Sequence, residues 1–422
     1  MTVEVNPVGI RCGAKNGGLD CAYCYERCAR MAAEAGPLPT VDLDAIKTQV
    51  SAARGDHFSL HGGEALLART EDLERLWAWG LEKYGRNGIQ TSGRPITEEH
   101  LRLFRKYKVH VGFSIDGPGE LNDARCAGTA AETRAATAHS ERMLRRCLRE
   151  EHGASLIVTL HKVNASPARL PRLVAWFRSL ARAGLRSARL HVLQAGPRDA
   201  GHALVLPVHE AIAAMRAARA LQCDLARPRW IPWLRCPLQF DVFVDMRKLL
   251  TARDDQVTCL WNACDPWSTT SVIGVNPDGT RHGCGRSAED SRWIPMAGGS
   301  PLVRSIALSE TPQAEGGCQG CRFFVACKGN CPGQTEGGDW RSRSSDCELW
   351  RTLLEDEEAA LEAEGWTPVT RRTDLAEIEE RMKAGWAVGQ RPSIRSAVDR
   401  RKSQACHDGR HLDHADSARW KR

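Results

Sequence analysis

The chain has 422 residues, of which 42% are hydrophobic and 26% charged; these ordinary globular values exclude a wholly disordered or collagen-like polymer and predict two or more domains. Its longest apolar runs, such as residues 154–160, are far too short to span a bilayer, and the opening MTVEVNPVGIRCG has no signal-peptide pattern, so the expectation is a cytoplasmic protein without a membrane partner. Residues 381–422 hold eleven Lys/Arg and four Asp/Glu, a surplus equal to the net charge of +7, which argues against a basic nucleic-acid-binding core.

In chain order, strands are predicted at 3–10, 57–60, 88–91, 109–115, 155–160 and 189–193. Amphipathic helices are predicted at 22–35, 71–84, 97–107, 133–151, 168–183 and 208–223. Alternation of this kind implies a parallel sheet with right-handed crossovers. Six βα units fall short of a closed eight-fold barrel, so the fold class is α/β with a partial, open (β/α)6 TIM-like barrel over 1–225. From 226 to 350 the texture changes to glycine-rich, cysteine-rich sequence, which predicts a small domain held by metal rather than by a large apolar core. Residues 351–422 are expected to be a C-terminal helix near 349–364 and a basic tail, mobile from about 385.

Seventeen cysteines are the outlier. A reducing cytosol does not keep so many for disulfides, so metal or iron–sulfur ligation is the expected use. Cys12, Cys21 and Cys24 follow the first predicted strand in RCGAKNGGLDCAYCYE. Iron–sulfur clusters usually take four cysteines, so three thiolates would leave one iron open to a small ligand. A zinc site with Cys28 as fourth ligand is the alternative.

The strand ends carry motifs in order. They are His61-Gly62-Gly63-Glu64, Gln90-Thr91-Ser92-Gly93, Ser114-Ile115-Asp116-Gly117-Pro118, then His161 and Asn164, and finally Leu193-Gln194. Gly62-Gly63 alone reads as a turn. Together, at the C-terminal strand ends of a βα barrel, these motifs outline an active face.

Over roughly residues 5–195 the sequence resembles the radical S-adenosylmethionine (SAM) enzymes, through Cys21-Ala22-Tyr23-Cys24-Tyr25 and the three motifs ending β-segments at 62–64, 90–93 and 114–118. The resemblance implies that Cys12, Cys21 and Cys24 bind a 4Fe–4S cluster whose open iron is chelated by SAM. It implies that Gly62, Gly63 and Glu64 meet the methionine amino group. Ser92, Ser114 and Arg125 join the cofactor-binding set, the last two at the ribose or carboxylate, and Tyr23 and Leu193 lie by the adenine. Two departures stand out. Eight residues separate Cys12 from Cys21 where the family has three, and Ala65 replaces the usual proline.

The C-terminal cysteines are regularly spaced. Cys259 precedes Cys264, fourteen residues, Gly279, four residues and Cys284; then come Cys318-x2-Cys321-x5-Cys327-x3-Cys331, fifteen residues and Cys347. Eight thiols complete two four-thiolate sites, of iron–sulfur or zinc. Asn276-Pro277-Asp278-Gly279 reads as a tight turn of a hairpin that brings Cys264 and Cys284 together. The whole pattern resembles the SPASM domain of radical SAM peptide-modifying enzymes. It implies one auxiliary 4Fe–4S cluster on Cys259, Cys264, Cys284 and Cys331, and another on Cys318, Cys321, Cys327 and Cys347, three clusters in all. Anaerobic sulfatase maturases of this kind carry an aspartate base after the cysteine matching Cys284, where this chain has Gly285 and Arg286.

The function implied is a peptide maturase. SAM is cleaved to a 5′-deoxyadenosyl radical, a C–H hydrogen is abstracted, and a ribosomally made precursor peptide is oxidatively modified by crosslinking. Implied partners are the precursor, a flavodoxin or ferredoxin as electron donor, and a separate leader-binding protein, because the first strand begins almost at Met1. Alternatives are a radical SAM dehydrogenase or side-chain maturase resembling the sulfatase maturases, and a zinc-bound, cysteine-rich nucleic-acid-binding protein. Cys28, Cys126, Cys147, Cys223, Cys236 and Cys406 are expected to be buried or incidental thiols. Trp230, Trp233, Trp261 and Trp267 are expected in the core or along a peptide channel.

Overall fold

The computed structural model describes residues 2–8, 18–24, 40–53, 55–150, 152–194, 200–226, 237–265, 271–284, 301–335 and 339–399. It divides into two compact units, one of residues 1–241 and 272–292, the other of 242–271 and 293–422. Among the described residues, no helix is long and apolar enough to cross a membrane.

The first unit is built on one mixed sheet. Its strands are β1 (Thr2–Val5), β3 (Phe58–Leu60), β4 (Asn87–Thr91), β5 (Val109–Ser114), β7 (Ala154–Leu160) and β8 (Ser187–Val192), with the short β2 (Asp20–Cys21) and β6 (Arg125–Cys126) forming a separate pair. All six strands expected from the sequence are present and pair in parallel in chain order. Alternating Leu156, Val158 and Leu160 of β7 and Ala188, Leu190 and Val192 of β8 are buried while their neighbours are more exposed. This period-2 pattern fixes the register, since a one-residue slip would turn the apolar set outward. Each buried Val, Leu or Phe contributes about 1.5–3 kcal/mol.

Two additions were not expected. A two-residue β9 (Gln239–Phe240) extends the sheet beyond β8, and the hairpin β10 (Val272–Val275) and β11 (Arg281–His282) extends it beyond β1. The hairpin assigned from sequence to the cysteine-rich segment therefore belongs to the sheet unit. Val272–Val275 pairs in parallel with Thr2–Val5, a contact between residues 270 positions apart that no local pattern encodes.

The strands are joined by crossover helices. They are α1 (Leu43–Ala52), α2 (Thr70–Tyr84), α3 (Glu98–Lys106), α4 (Ala130–Arg149), the single turn α5 (Lys162–Ala165), α6 (Leu170–Arg182) and α7 (Val208–Ala226). Helix α1 was not expected; Asp42 caps it by accepting from the amides of Asp44 and Ala45. Helix α4 starts three residues before the expected 133. Thr129 and Glu132 form a reciprocal capping box, which satisfies two otherwise orphaned amides. The helix expected at 22–35 lies outside the described residues except for 22–24, which form a turn.

The second unit is helical: α8 (Asp241–Leu250, of which only Asp241 belongs to the sheet unit), α9 (Val303–Glu310), α10 (Phe324–Cys327), α11 (Cys347–Ala363), α12 (Leu375–Ala387) and α13 (Ile394–Val398). Trp261 packs edge-on to Trp350 at 5.5 Å, and Phe324 to Trp386 at 5.7 Å. Trp261 is thus a core residue; Trp230, Trp233 and Trp267 lie outside the described residues. The tail expected from 385 is corrected up to Asp399. Trp386 and Ile394 are fully buried, and their anchors sit on two short helices too brief to register as periodicity.

Candidate functional site

The cysteine loop is held over the strand ends by backbone and side-chain bonds. β2 pairs antiparallel with β6, setting Cys21 opposite Arg125 and Asp20 opposite Cys126. The Ala22 amide donates to Ala124 O at 2.8 Å, and the Cys24 amide to Cys21 O at 3.1 Å, closing a turn that keeps both thiols on one loop. Arg94, just after β4, donates to Gly18 O. Cys12 and Cys28 lie outside the described residues.

Asp116 is the hub beneath this loop. It follows β5 and is fully buried. Arg125 pairs with it, Nε to Oδ2 at 2.9 Å and Nη2 to Oδ1 at 3.1 Å. The Tyr23 hydroxyl donates to Oδ2, His161 Nε2 lies 3.3 Å from the same oxygen, and the Thr159 amide donates to Oδ1 at 2.8 Å. Burial by itself raises the Asp116 pKa, but the Arg125 charge and the His161 and Tyr23 donors outweigh it and hold the carboxyl well below the usual range. Burial, opposed by Arg125, pushes the Tyr23 phenol well above its ordinary value. The Tyr23 ring lies 5.4 Å from the His161 ring and 5.6 Å from the Arg125 guanidinium carbon.

Glu64 forms a second anchor. Its buried carboxylate accepts from Thr91 Oγ1 at 2.7 Å, Ser92 Oγ at 2.6 Å and the Ser92 amide at 2.9 Å, and caps the turn at Leu66. Burial raises its pKa, with the Ser92 and Thr91 donors pulling the other way. Gly62 precedes it at φ +84°, where a Cβ would lie 2.0 Å from Asn6 Cγ, so the turn after β3 has no room for a side chain. A third chain crosses three adjacent strand ends: His61 Nε2 to Gln90 Oε1 at 2.6 Å, and Gln90 Nε2 to Ser114 Oγ at 3.1 Å. Ser114, accepting there, keeps its own hydroxyl proton to donate. Leu193 is buried at the end of β8, its amide bonded to Leu160 O at 2.8 Å.

The sequence-derived set therefore falls into three joined groups on the strand ends: Tyr23, Cys21 and Cys24 with Arg125; Glu64 with Ser92; and Ser114 with Gln90 and His61. Asp116 was legible only as part of a motif. Its signal is a lone acid placed between the apolar Ile115 and Gly117. His161, named among the strand-end motifs, is fully buried against Asp116.

In the second unit, Cys318, Cys321, Cys327 and Cys347 line one pocket, together with Phe323, Phe324, Asn330, Arg343 and Trp350. Burial is the largest cause pushing the Cys327 thiol up to about 12 and raising that of Cys318 further, with the neighbouring sulfurs adding to it. Cys318 and Cys327, buried in this wall, resist ionisation unless a cationic metal compensates them, and with Cys321 and Cys347 they supply the donors of a four-thiolate site. Cys264 and Cys331 also interact within this unit. Cys259 is exposed, and Cys284 falls in the sheet unit just after β11.

The profile of the radical SAM superfamily matches residues 16–169. The serine-type anaerobic sulfatase-maturating enzyme of Bacteroides thetaiotaomicron is 29% identical over 135 residues, covering 29% of this chain and 31% of that protein. The cysteine-type enzyme of Clostridium perfringens is 29% identical over 143 residues, covering 30% and 37%. The chain thus spans about a third of the length of these curated relatives. Among solved structures, native anSMEcpe with bound AdoMet and Cp18Cys peptide is similar in fold, with a TM-score of 0.61 at 14% identity, over 90% of this chain and 99% of that one. The matched profile falls on the strands that carry the cysteine loop and the Asp116 and Glu64 anchors, so residues 16–169 match a radical SAM domain.

Proposed function

We propose that the chain is a radical SAM maturase that oxidatively crosslinks a ribosomally made precursor peptide and uses three 4Fe–4S clusters. Cys12, Cys21 and Cys24 would hold the SAM-binding cluster. Cys259, Cys264, Cys284 and Cys331 would hold one auxiliary cluster, and Cys318, Cys321, Cys327 and Cys347 the other. When bound, the first cluster supplies the electron that splits SAM into methionine and a 5′-deoxyadenosyl radical.

This chain's residues would position and exclude. Asp116, through Arg125 and Tyr23, holds the loop of Cys21 and Cys24 against the strand ends. Glu64, tied to Thr91 and Ser92, fixes the turn over which the SAM methionine group would lie. Ser114 presents a donor hydroxyl from the end of β5. The observation that carries the reading is that Cys318, Cys321, Cys327 and Cys347 all line one pocket in the second unit. SAM cleavage alone needs one cluster. Removing a hydrogen atom from a peptide leaves a radical that must lose one more electron to end as a crosslink, and a second metal site gives that electron an outlet. The chain's basic C-terminal end is suited to an acidic leader.

The test is coexpression with short precursor peptides and mass spectrometry of the product. Loss of a pair of hydrogens per turnover, absent when Cys318 and Cys347 are replaced by Ala, supports the reading; an unaltered peptide with every precursor opposes it.

A second reading, side-chain maturation of a sulfatase, is favoured by the sequence similarity to the two sulfatase-maturating enzymes. Gly285 directly after Cys284 weighs against it, since no carboxylate base stands there. Conversion of a sulfatase-derived Ser or Cys peptide to its aldehyde by the purified chain would decide for it.

A further inference from the structure

Arg304 lies on α9 and is 1% exposed. Its guanidinium has five N–H donors, and five backbone carbonyls fill them. Nε donates to Trp340 O at 2.8 Å. Nη1 donates to Asn330 O at 3.0 Å and Lys328 O at 3.4 Å. Nη2 donates to Gly329 O at 2.9 Å and Ser342 O at 3.1 Å. The Arg304 backbone amide adds a bond to Asp265 Oδ2 at 2.7 Å. These contacts gather the segments that carry ligands of both proposed auxiliary sites. Residues 328–330 are the whole link between Cys327 and Cys331, Asp265 follows Cys264, and 340–342 lead into Cys347.

The charge is as informative as the contacts. Among the described residues, no carboxylate pairs with this guanidinium. The neighbouring buried Lys328 is neutralised by Asp254 at 3.1 Å. A buried cation is costly unless an opposite charge compensates it. The carbonyls of 328–330 place the guanidinium against the link between Cys327 and Cys331, one ligand from each proposed set. Thiols are neutral without metal, whereas a cluster-bound set of thiolates carries net negative charge.

We propose that Arg304 is a positioning residue shared by the two auxiliary clusters, a permanent buried cation that holds their ligand loops together and raises the reduction potential of both. The inference rests on the proposed reading that these two sites take 4Fe–4S clusters. A positive charge near a cluster favours the extra electron, so it makes each cluster a better acceptor from a peptide radical.

The experiment uses the full chain with Cys12, Cys21 and Cys24 changed to Ala, so that only auxiliary clusters report. It is reconstituted anaerobically with iron and sulfide, assayed for iron, and titrated with dithionite under EPR. In Arg304→Gln, with iron retained, the reduced-to-oxidised ratio of both clusters at a fixed potential is expected to fall about tenfold, which is about 59 mV for one electron. Arg304→Lys, which keeps the charge, is expected to stay near the parent. Where Arg304→Gln loses iron from both sites while Arg304→Lys keeps iron and parent potentials, the charge is again the cause. Unchanged potentials in Arg304→Gln, a shift of one cluster alone, or loss of iron in both variants would overturn the inference. A parent that takes up no iron at these eight cysteines is a different result, because it overturns the cluster reading itself.

Discussion

Arg125 and Asp116 form a buried ion pair, Nε to Oδ2 at 2.9 Å, and Arg125 sits directly opposite Cys21 in the β2–β6 pair. One carboxylate thus fixes the backbone position of a cysteine predicted to bind metal. Asp116→Asn leaves the Arg125 charge uncompensated and should cost about 3–5 kcal/mol of unfolding free energy in anaerobic urea titration. Asp123→Asn, which breaks the exposed pair with Arg134, should cost about 1 kcal/mol or less. A depressed carboxyl pKa stabilises the fold above the unfolded value, near 3.9, and loses that contribution as pH falls. The difference between parent and Asp116→Asn should therefore be flat above about pH 5 and shrink below about pH 4.

Glu64 behaves with the opposite sign. Its pKa is raised by burial, so the folded state holds the proton more tightly and ionisation works against folding. The parent should lose stability relative to Glu64→Gln as pH rises from about 4.3 through the raised value. Thr91→Val and Ser92→Ala each remove a donor from the buried carboxylate and should each cost about 1–3 kcal/mol. Both should push the Glu64 transition to higher pH, measurable from stability curves between about pH 4 and 8.

Gly62 and Gly85 separate strain from clash. Both have positive φ, but a Cβ at Gly85 meets nothing within 4 Å, whereas at Gly62 it meets Asn6 at 2.0 Å. Gly85→Ala should cost about 1–2 kcal/mol from the left-handed backbone alone. Gly62→Ala should cost clearly more, and Asn6→Ala in the same chain should recover part of the loss. Equal costs at the two positions would show that the turn after β3 yields to a side chain.

The six parallel strands were legible because each is a short apolar run closed by a polar or glycine motif, and the site was legible because those motifs fall at strand ends. What the sequence hid was non-local. Val272–Val275 reads as a strand of the cysteine-rich segment, and its partner is Thr2–Val5. Asp116 reads as one member of a motif, and its weight comes from Tyr23, Arg125, and Thr159 with His161, which converge from three separate segments. Arg304 gives no sequence signal, since an arginine on a short helix is ordinarily a solvated charge. Trp386 and Ile394 anchor a segment whose composition reads as tail.

The most direct test of the central claim is iron and sulfide content after anaerobic reconstitution, with 5′-deoxyadenosine formation from SAM under dithionite. About twelve irons are predicted for the parent, and about eight for Cys12→Ala/Cys21→Ala/Cys24→Ala, which should make no 5′-deoxyadenosine. About eight are also predicted for Cys318→Ala/Cys321→Ala/Cys327→Ala/Cys347→Ala, with SAM cleavage retained and peptide product lost. Zinc in place of iron with no SAM cleavage, or a quadruple variant that keeps the parent's iron, would contradict the account.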